Sequence, residues 1–381
     1  MKRLLLAIAA ALAACGDGGA STSTSTSSAG GAPVEDGAGG SGAAPGAGGG
    51  ANGENGGASG CVPIEIGGDV ASLVQSIADK MDESAGAGSE AFVVPSSKER
   101  EAFAAAVVAA LLGDDEAGCM LPPSYRWVRL TDPDAGSVEV VAEVDADGVP
   151  SPSLHWGTFA SLSDLEEAPH RPVAVAAPHP LFDDLTEMQA ATIFSRGRAR
   201  FLAVAGAHRC SNAAEVDCDG KTEVCNDVDD TPMPFRISDA AHAVESPFYA
   251  VHARLSDELP DLSFLQVHGF GSTGCFQAVV SDSSGTWPGA GPAAALATEL
   301  EARDIGVFHC GLDDTGAACP CGETNVEARY SAGSTDACHE VGDDYGRFVH
   351  LEQLHTLREP DSAEGQATLE AILAAFEPIG P

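Results

Sequence analysis

Residues 172–206 read PVAVAAPHPLFDDLTEMQAATIFSRGRARFLAVAG, and their rhythm decides the fold class. PVAVAA is a short run of small and β-branched apolar residues, the composition of a buried strand. DLTEMQAATIF carries apolar residues at helical spacing behind leading acids, and RFLAVAG is a second buried strand. Strand, helix and strand in that order, with continuous rather than alternating apolar strands, predict a parallel pair covered on both faces. Between the first strand and the helix, His179 is followed by Asp183, Asp184 and Glu187. Imidazole beside carboxylate oxygen is a ligand set for first-row metals; it is also the material of a turn before an acid-started helix.

The pattern extends in both directions. Residues 68–83 and 99–112 have helical spacing, and GSVEVVAEVDADG alternates like a half-buried strand. Further on, DLSFLQVHG, FQAVVSD, IGVFHC and GRFVHLEQLH read as strands, PAAALATELEARD and SAEGQATLEAILAAF as helices. The expectation is an α/β fold: an open, mostly parallel or mixed sheet with helices on both faces. Such sheets bind ligands at the carboxyl ends of their strands. Those ends carry His179, then His208 and Arg209, then His268, and finally His350, Glu352 and His355. One strand-end histidine is ordinary, whereas several converging on one edge indicate a site.

The N-terminus has a different character. Lys2 and Arg3 precede LLLAIAAALAA, which is too short for a confident membrane span, and the run stops at Cys15. This arrangement resembles the bacterial lipoprotein signal, which implies loss of residues 1–14 and lipid on Cys15. Residues 16–60 are almost entirely Gly, Ala, Ser, Thr and Pro, with no Lys, Arg or aromatic residue. They cannot bury enough apolar surface to offset chain entropy, so residues 15–60 read as a disordered tether. The expected division is then an N-terminal extension over 61–165, of unassigned role, and a catalytic α/β domain over 166–381.

Of the 11 cysteines, ten remain beyond Cys15. An even number outside the cytoplasm predicts disulfides rather than a zinc site for CGLDDTGAACPCGETN, whose spacing lacks the paired two-residue gaps of structural zinc. Cys210, Cys218 and Cys225 are expected to close loops locally. Without Lys2 and Arg3, 17 basic residues face 57 acidic ones, a balance of −40. That argues against nucleic acid or anionic membrane as a general partner. Arg196, Arg198 and Arg200 form a local basic cluster, either a patch for an anionic substrate or a helix end satisfied by cations. The chain has no Gly-x-Ser-x-Gly elbow, and GFGSTGCF lacks the spacing of a phosphate loop.

APHPLFDDLTE, AHAVESPF, LQVHGF and FVHLEQLHTLR, in that order over residues 172–358, resemble the phage-type poly-γ-glutamate hydrolases, within the wider zinc carboxypeptidase-like amidohydrolases. The resemblance implies zinc held by His179, His268 and a carboxylate. Asp183 is the favoured carboxylate, with Asp184 second and Glu187 third; the family has a glutamate there. It implies Glu352 as general base, Arg358 as a carboxylate clamp or a surface partner of Glu352, and His242 as a substrate contact. Arg209 is the candidate cation for the developing oxyanion, or else an exposed arginine in a disulfide-rich loop. The expected protein is a monomeric, envelope-tethered zinc amidohydrolase acting on a peptide-like or γ-glutamyl polymer. The competing expectation is a surface lipoprotein that keeps the fold as a binding module with a degraded metal site.

Overall fold

The structure, a computed structural model, describes residues 61–226, 231–271, 274, 276–314 and 319–381. Cys15, the leader and the tether lie outside the described residues, as does Cys275. In chain order the elements are β1 (Ile64–Ile66), α1 (Val70–Ser84), α2 (Ser97–Leu111), β2 (Arg126–Asp132), β3 (Gly136–Ala142), β4 (Thr158–Leu162), β5 (Arg171–Ala177), α3 (Thr186–Gly197) and β6 (Ala199–Val204). Then come α4 (Pro247–Glu258), β7 (Ser263–Gly269), β8 (Ala278–Ser281), α5 (Pro292–Glu301), β9 (Val307–His309), α6 (Val326–Ser331), β10 (Phe348–Gln353) and α7 (Ala363–Ala375).

The ten described strands form one mixed sheet in the order β1-β2-β3-β4-β6-β5-β7-β10-β8-β9. Its centre is parallel: β6, β5, β7 and β10 run the same way. β4 and β8 flank that centre antiparallel. The chain leaves β5 for β6 on one side, then returns across β5 to β7 on the other. That reversal is a topological switch point, and it opens a crevice at the carboxyl ends of β5 and β7.

Alternation along the strands assigns the two faces. Val173, Val175, Leu265, Val267, Val349 and Leu351 point into one core, which the apolar sides of α1, α3, α5 and α7 complete. Ala174, Ala176, Phe264 and Phe348 point into the other, under α2 and α4. Phe103 of α2 anchors that second core, edge-on to Tyr125 and Trp156 with ring centroids 4.8 and 5.1 Å apart. Residues 61–165 supply β1–β4 and so extend the sheet. Buried Asp132 ties them to the centre, since its Oδ2 accepts from Val70 N at the start of α1 and from Ser195 Oγ of α3. The helix starts follow capping chemistry: Ser96 and Glu99 make a reciprocal capping box on α2, and Ser246 with Pro247 opens α4.

Disulfides join Cys61 to Cys119, Cys210 to Cys225, Cys218 to Cys338 and Cys310 to Cys321. Cys319 is disulfide-bonded as well. Cys210 and Cys225 close a local loop as expected, but Cys218 does not. It reaches Cys338, 120 residues away, because the loop after β6 folds back over the end of α6. Among the described residues no helix is long and apolar enough to cross a membrane. The Arg196–Arg200 cluster is a helix end. Arg198, in the left-handed region at the C-cap of α3, pairs with Asp164 at 2.7 Å, and Arg200 is half-buried.

Candidate metal centre

β5 ends at Ala177, and the chain turns immediately through Pro178, His179 and Pro180. Asp183 N donates back to His179 O at 2.9 Å, while Leu181 and Leu185 both take positive φ, 67° and 70°. Two β-carbon-bearing residues in the left-handed region on either side of Asp183 are a costly way to build a turn. What the turn achieves is to fold Asp183 back beside His179, Oδ2 to Nδ1 3.2 Å.

β7 delivers the next residue. His268 sits at its carboxyl end, two residues beyond Gln266 on the same face. His268 Nδ1 lies 3.2 Å from His179 Nδ1 and 3.4 Å from Asp183 Oδ2. Three ligand atoms thus stand 3.2–3.4 Å from one another. Ligands about 2.0–2.1 Å from a tetrahedral zinc are separated by about 3.3–3.4 Å, so the triangle has the size of one face of such a polyhedron. All three side chains are buried, exposed by 4% or less.

Donor counting shows which ring nitrogens face the triangle. His179 Nε2 lies 2.8 Å from Asp239 Oδ1, a carboxylate that can only accept, so Nε2 carries hydrogen and Nδ1 offers its lone pair. Asp239 is itself held by Arg209, whose Nε and Nη2 donate to Oδ2 at 3.0 and 2.5 Å. His242 Nδ1 reaches the Oδ1 side at 3.0 Å. Burial alone would raise the Asp239 carboxyl, but Arg209, His242 and His179 outweigh it and hold it well below the ordinary range. Burial and Arg209 push His179 down, and Asp239 with Asp183 overcomes both, so its value is raised. A second proton on His179 would lie on Nδ1, inside the triangle. Asp183 is held far below its ordinary value despite burial, chiefly by His179 and His268. Burial pushes His268 down to about 4, so that imidazole is neutral at ordinary pH. Two imidazoles and one carboxylate, with a single exchangeable proton among them, fit a divalent cation.

Other chains share parts of this architecture. No protein-family model matches this chain, and no curated protein does. Among solved structures, it is similar to a bacteriophage poly-γ-glutamate hydrolase at 13% identity, over 55% of this chain and 86% of that one, with a TM-score of 0.32. N-formylglutamate amidohydrolase from Ralstonia eutropha JMP134 aligns at 12% identity over 55% and 93%, TM-score 0.32. A metallo-carboxypeptidase from Burkholderia cenocepacia aligns at 14% over 70% and 67%, TM-score 0.30. At such TM-scores these likenesses add nothing to the weight the site's own geometry carries.

The other predicted residues fall around the triangle at different depths. Glu352 on β10 is in register with His268 on β7, so the two side chains leave neighbouring strands on the same face. Its carboxyl is buried, with Oε2 lacking a hydrogen-bond partner and Oε1 3.7 Å from His350 Nε2. Burial first, and then the charge of Asp183, push Glu352 well above the ordinary carboxylate range. His350, in register with Gln266, packs its ring 4.5 Å from that of His268 and is kept neutral by burial. Glu352, His350 and His268 form a second possible cation cluster on the same face.

Arg209 is buried rather than exposed, and its Nη1 points to within 3.4 Å of His179 Nδ1. Arg358 is also buried and makes no ion pair with Glu352 among the described residues. Its Nη1 donates to Asp184 O at 2.5 Å, and its guanidinium packs against Gly269. A Cβ on Gly269 would collide with Nη1, which is why glycine follows His268. Asp184 turns outward to His355 Nε2 at 3.0 Å, and Glu187 is buried in the first turn of α3, away from the imidazoles. His242 is stacked on Phe235 at 3.8 Å, behind Asp239. His208 lies outside the triangle, edge-on to Phe182, its Nδ1 accepting from Cys210 N.

Sequence reading missed Asp239 and Gln266, and it placed His350 at a strand end without giving it a role. Asp239 stands three residues before His242 in SDAAH, a spacing that brings a carboxylate to an imidazole, but nothing local says which imidazole it also serves. Gln266, and the place of His350 beside it, are visible only once β7 and β10 are paired.

Proposed function

We propose that the chain is a zinc-dependent hydrolase of amide bonds in a peptide-like or γ-glutamyl polymer, tethered to the cell envelope through lipid on Cys15. One observation carries the reading: His179 Nδ1, Asp183 Oδ2 and His268 Nδ1 form a triangle with 3.2–3.4 Å edges, beside a buried, partly unpartnered Glu352. In this reading His179, Asp183 and His268 hold the metal. When bound, it supplies Lewis acidity to the scissile carbonyl and to the attacking water.

The chain's own residues do the rest. Glu352 takes a proton from the attacking water and returns it to the leaving amine, which keeps the proton count balanced. It must be ionised to begin, and Asp183's charge is one cause of its raised value; a dication beside Asp183 cancels that cause. Arg209 stabilises negative charge on the carbonyl oxygen through Nη1, the part of its guanidinium that Asp239 leaves free. Arg358 fixes the Asp184 carbonyl and hence the turn that presents Asp183. His242 meets substrate through Nε2, since its Nδ1 is committed to Asp239. Ten cysteines beyond Cys15, an even number, suit a compartment outside the cytoplasm.

The test is Glu352→Gln in the mature chain, with zinc content and hydrolysis of γ-glutamyl and muropeptide amides measured together. Zinc near one per chain and turnover lower by about 10²–10⁴ is expected, since glutamine keeps the shape and cannot accept the proton. Full zinc with undiminished turnover removes Glu352 from the mechanism. A wild-type chain that takes up no zinc under any loading condition leaves the binding-module reading in its place.

A further inference from the structure

We propose that Asn325 and Gln266 are positioning residues that select the ring tautomer of His268 and so aim its Nδ1 lone pair at the metal. The proposal rests on the metal-binding reading above and adds to it a relay that begins at a helix cap.

Asn325 is the N-cap of α6. Its Oδ1 accepts from Ala328 N at 2.9 Å, a backbone donor that fixes the orientation of the amide. Nδ2 therefore faces the other way, and it donates to Gln266 Oε1 at 2.6 Å. Turned over, Gln266 would present its own NH2 to that donor, hydrogen against hydrogen. Its Oε1 is thus committed to the side where His268 Nε2 lies 3.1 Å away. An oxygen acceptor there requires hydrogen on Nε2, and a neutral imidazole with hydrogen on Nε2 has its lone pair on Nδ1. Nδ1 is the atom 3.2 Å from His179 Nδ1 and 3.4 Å from Asp183 Oδ2.

The other end of Gln266 shows that this orientation is enforced. Its Nε2 is directed at the buried carboxyl of Glu327 and lowers that carboxyl against burial, though no hydrogen bond of good geometry forms between them. Gln266, Asn325 and Glu327 are exposed by 1% or less, so no bulk water completes the set. A carboxyl facing Nε2 suits the same orientation, which the cap on α6 holds through Asn325. His179 receives its tautomer from a charged acceptor, Asp239; His268 receives the same tautomer from a neutral amide locked by a helix terminus.

Asn325→Asp separates the relay from simple folding. Aspartate is as good an N-cap, so α6 keeps its start. It brings an acceptor, however, where Gln266 needs a donor, and Gln266 must turn over and offer NH2 to both the introduced carboxylate and His268. The measurements are long-range ¹⁵N–¹H spectra of the metal-free protein, which read the tautomer of His268, and zinc affinity by competition with a chelator. The expected result for Asn325→Asp is a shift of His268 from the Nε2–H to the Nδ1–H form and a loss of zinc affinity of about 10–100-fold, with a lower melting temperature from the buried carboxylate and an otherwise unchanged ¹⁵N–¹H spectrum showing that the fold is kept. Gln266→Met, which fills similar volume without an acceptor, should lose zinc affinity by a comparable factor and show a mixed tautomer. Unchanged tautomer and affinity in Asn325→Asp, or wild-type His268 in the Nδ1–H form, overturns the proposal. Wild-type protein with the Nε2–H tautomer but no zinc uptake defeats the metal reading while leaving the relay standing.

Discussion

Replacing Asp239 by Asn changes one oxygen to NH2, and the structure says how much depends on it. Asp239 is fully buried and receives four hydrogen bonds: two from Arg209 on Oδ2, and one each from His179 Nε2 and His242 Nδ1 on Oδ1. Asparagine cannot accept on both sides. If its oxygen stays with Arg209, its NH2 meets His179 Nε2 and forces hydrogen onto Nδ1, the metal-facing atom. If the oxygen turns to His179, NH2 is pressed against the guanidinium. In either arrangement the Arg209 charge, about 10% exposed, loses its counterion. Removing one partner of a buried pair costs about 3–5 kcal/mol. For a domain of this size that is a drop in melting temperature on the order of 10 °C. Loss of the carboxylate behind a metal-ligating imidazole also weakens metal binding by about 10–100-fold. Thermal melts of the metal-free and zinc-loaded variant, with zinc affinity by chelator competition, measure both effects. A variant that melts within about 2 °C of wild type and binds zinc equally well would refute the assignment of Asp239 as the group that both neutralises Arg209 and orients His179.

Gly269→Ala should damage the site through packing. The new Cβ would collide with Arg358 Nη1, so the guanidinium must leave Asp184 O, and a loss of about 2–4 kcal/mol with weaker zinc binding is expected in melts and chelator titrations. Zinc affinity should fall as pH falls. His179 is raised from the ordinary imidazole value by Asp239 and Asp183 against burial and Arg209, so its proton stabilises the metal-free fold below that value, and this contribution is lost as pH rises through the raised one. A single proton competes with the metal below that value, which predicts a roughly tenfold weaker affinity per pH unit and release of about one proton per zinc bound; calorimetry in buffers of different ionisation enthalpy counts it. Mass spectrometry without reductant should show Cys218 linked to Cys338 and Cys210 to Cys225, and a peptide map placing Cys218 on Cys210 or Cys225 would contradict the long-range pairing.

The parts of this molecule that were legible in advance are those whose reason is local. The β5–α3–β6 unit follows from continuous apolar runs around an amphipathic helix, and His179 and His268 could be singled out because strand ends can be located from such runs. β2 and β4 were not read as strands. RWVRLTD (126–132) mixes two arginines into its run, and TFASL (158–162) is five residues long; each becomes a strand because a neighbour pairs with it. α4 begins with Pro247 behind Ser246, a start signal, but its histidine and arginine blur the apolar stripe.

Within the site, the same distinction separates ligands from the groups that aim them. Asp183 lies four residues from His179 and could be proposed from spacing. Asp239 and Gln266 act on those ligands from 60 and two residues away, and Asn325 acts on Gln266 across 59 residues. No periodicity encodes such pairs. They arise because β7 is seated between β5 and β10, and because α4 and α6 cover the face on which Gln266 and His268 alternate. Even the two-residue step from Gln266 to His268 has meaning only after the strand is known to be buried on that face. What marks the two histidines as a candidate metal site, rather than two satisfied core residues, is that each has its Nε2 beside a buried acceptor. Both Nδ1 atoms are thereby turned toward Asp183 Oδ2, and it is the fold, not the motif, that supplies both acceptors.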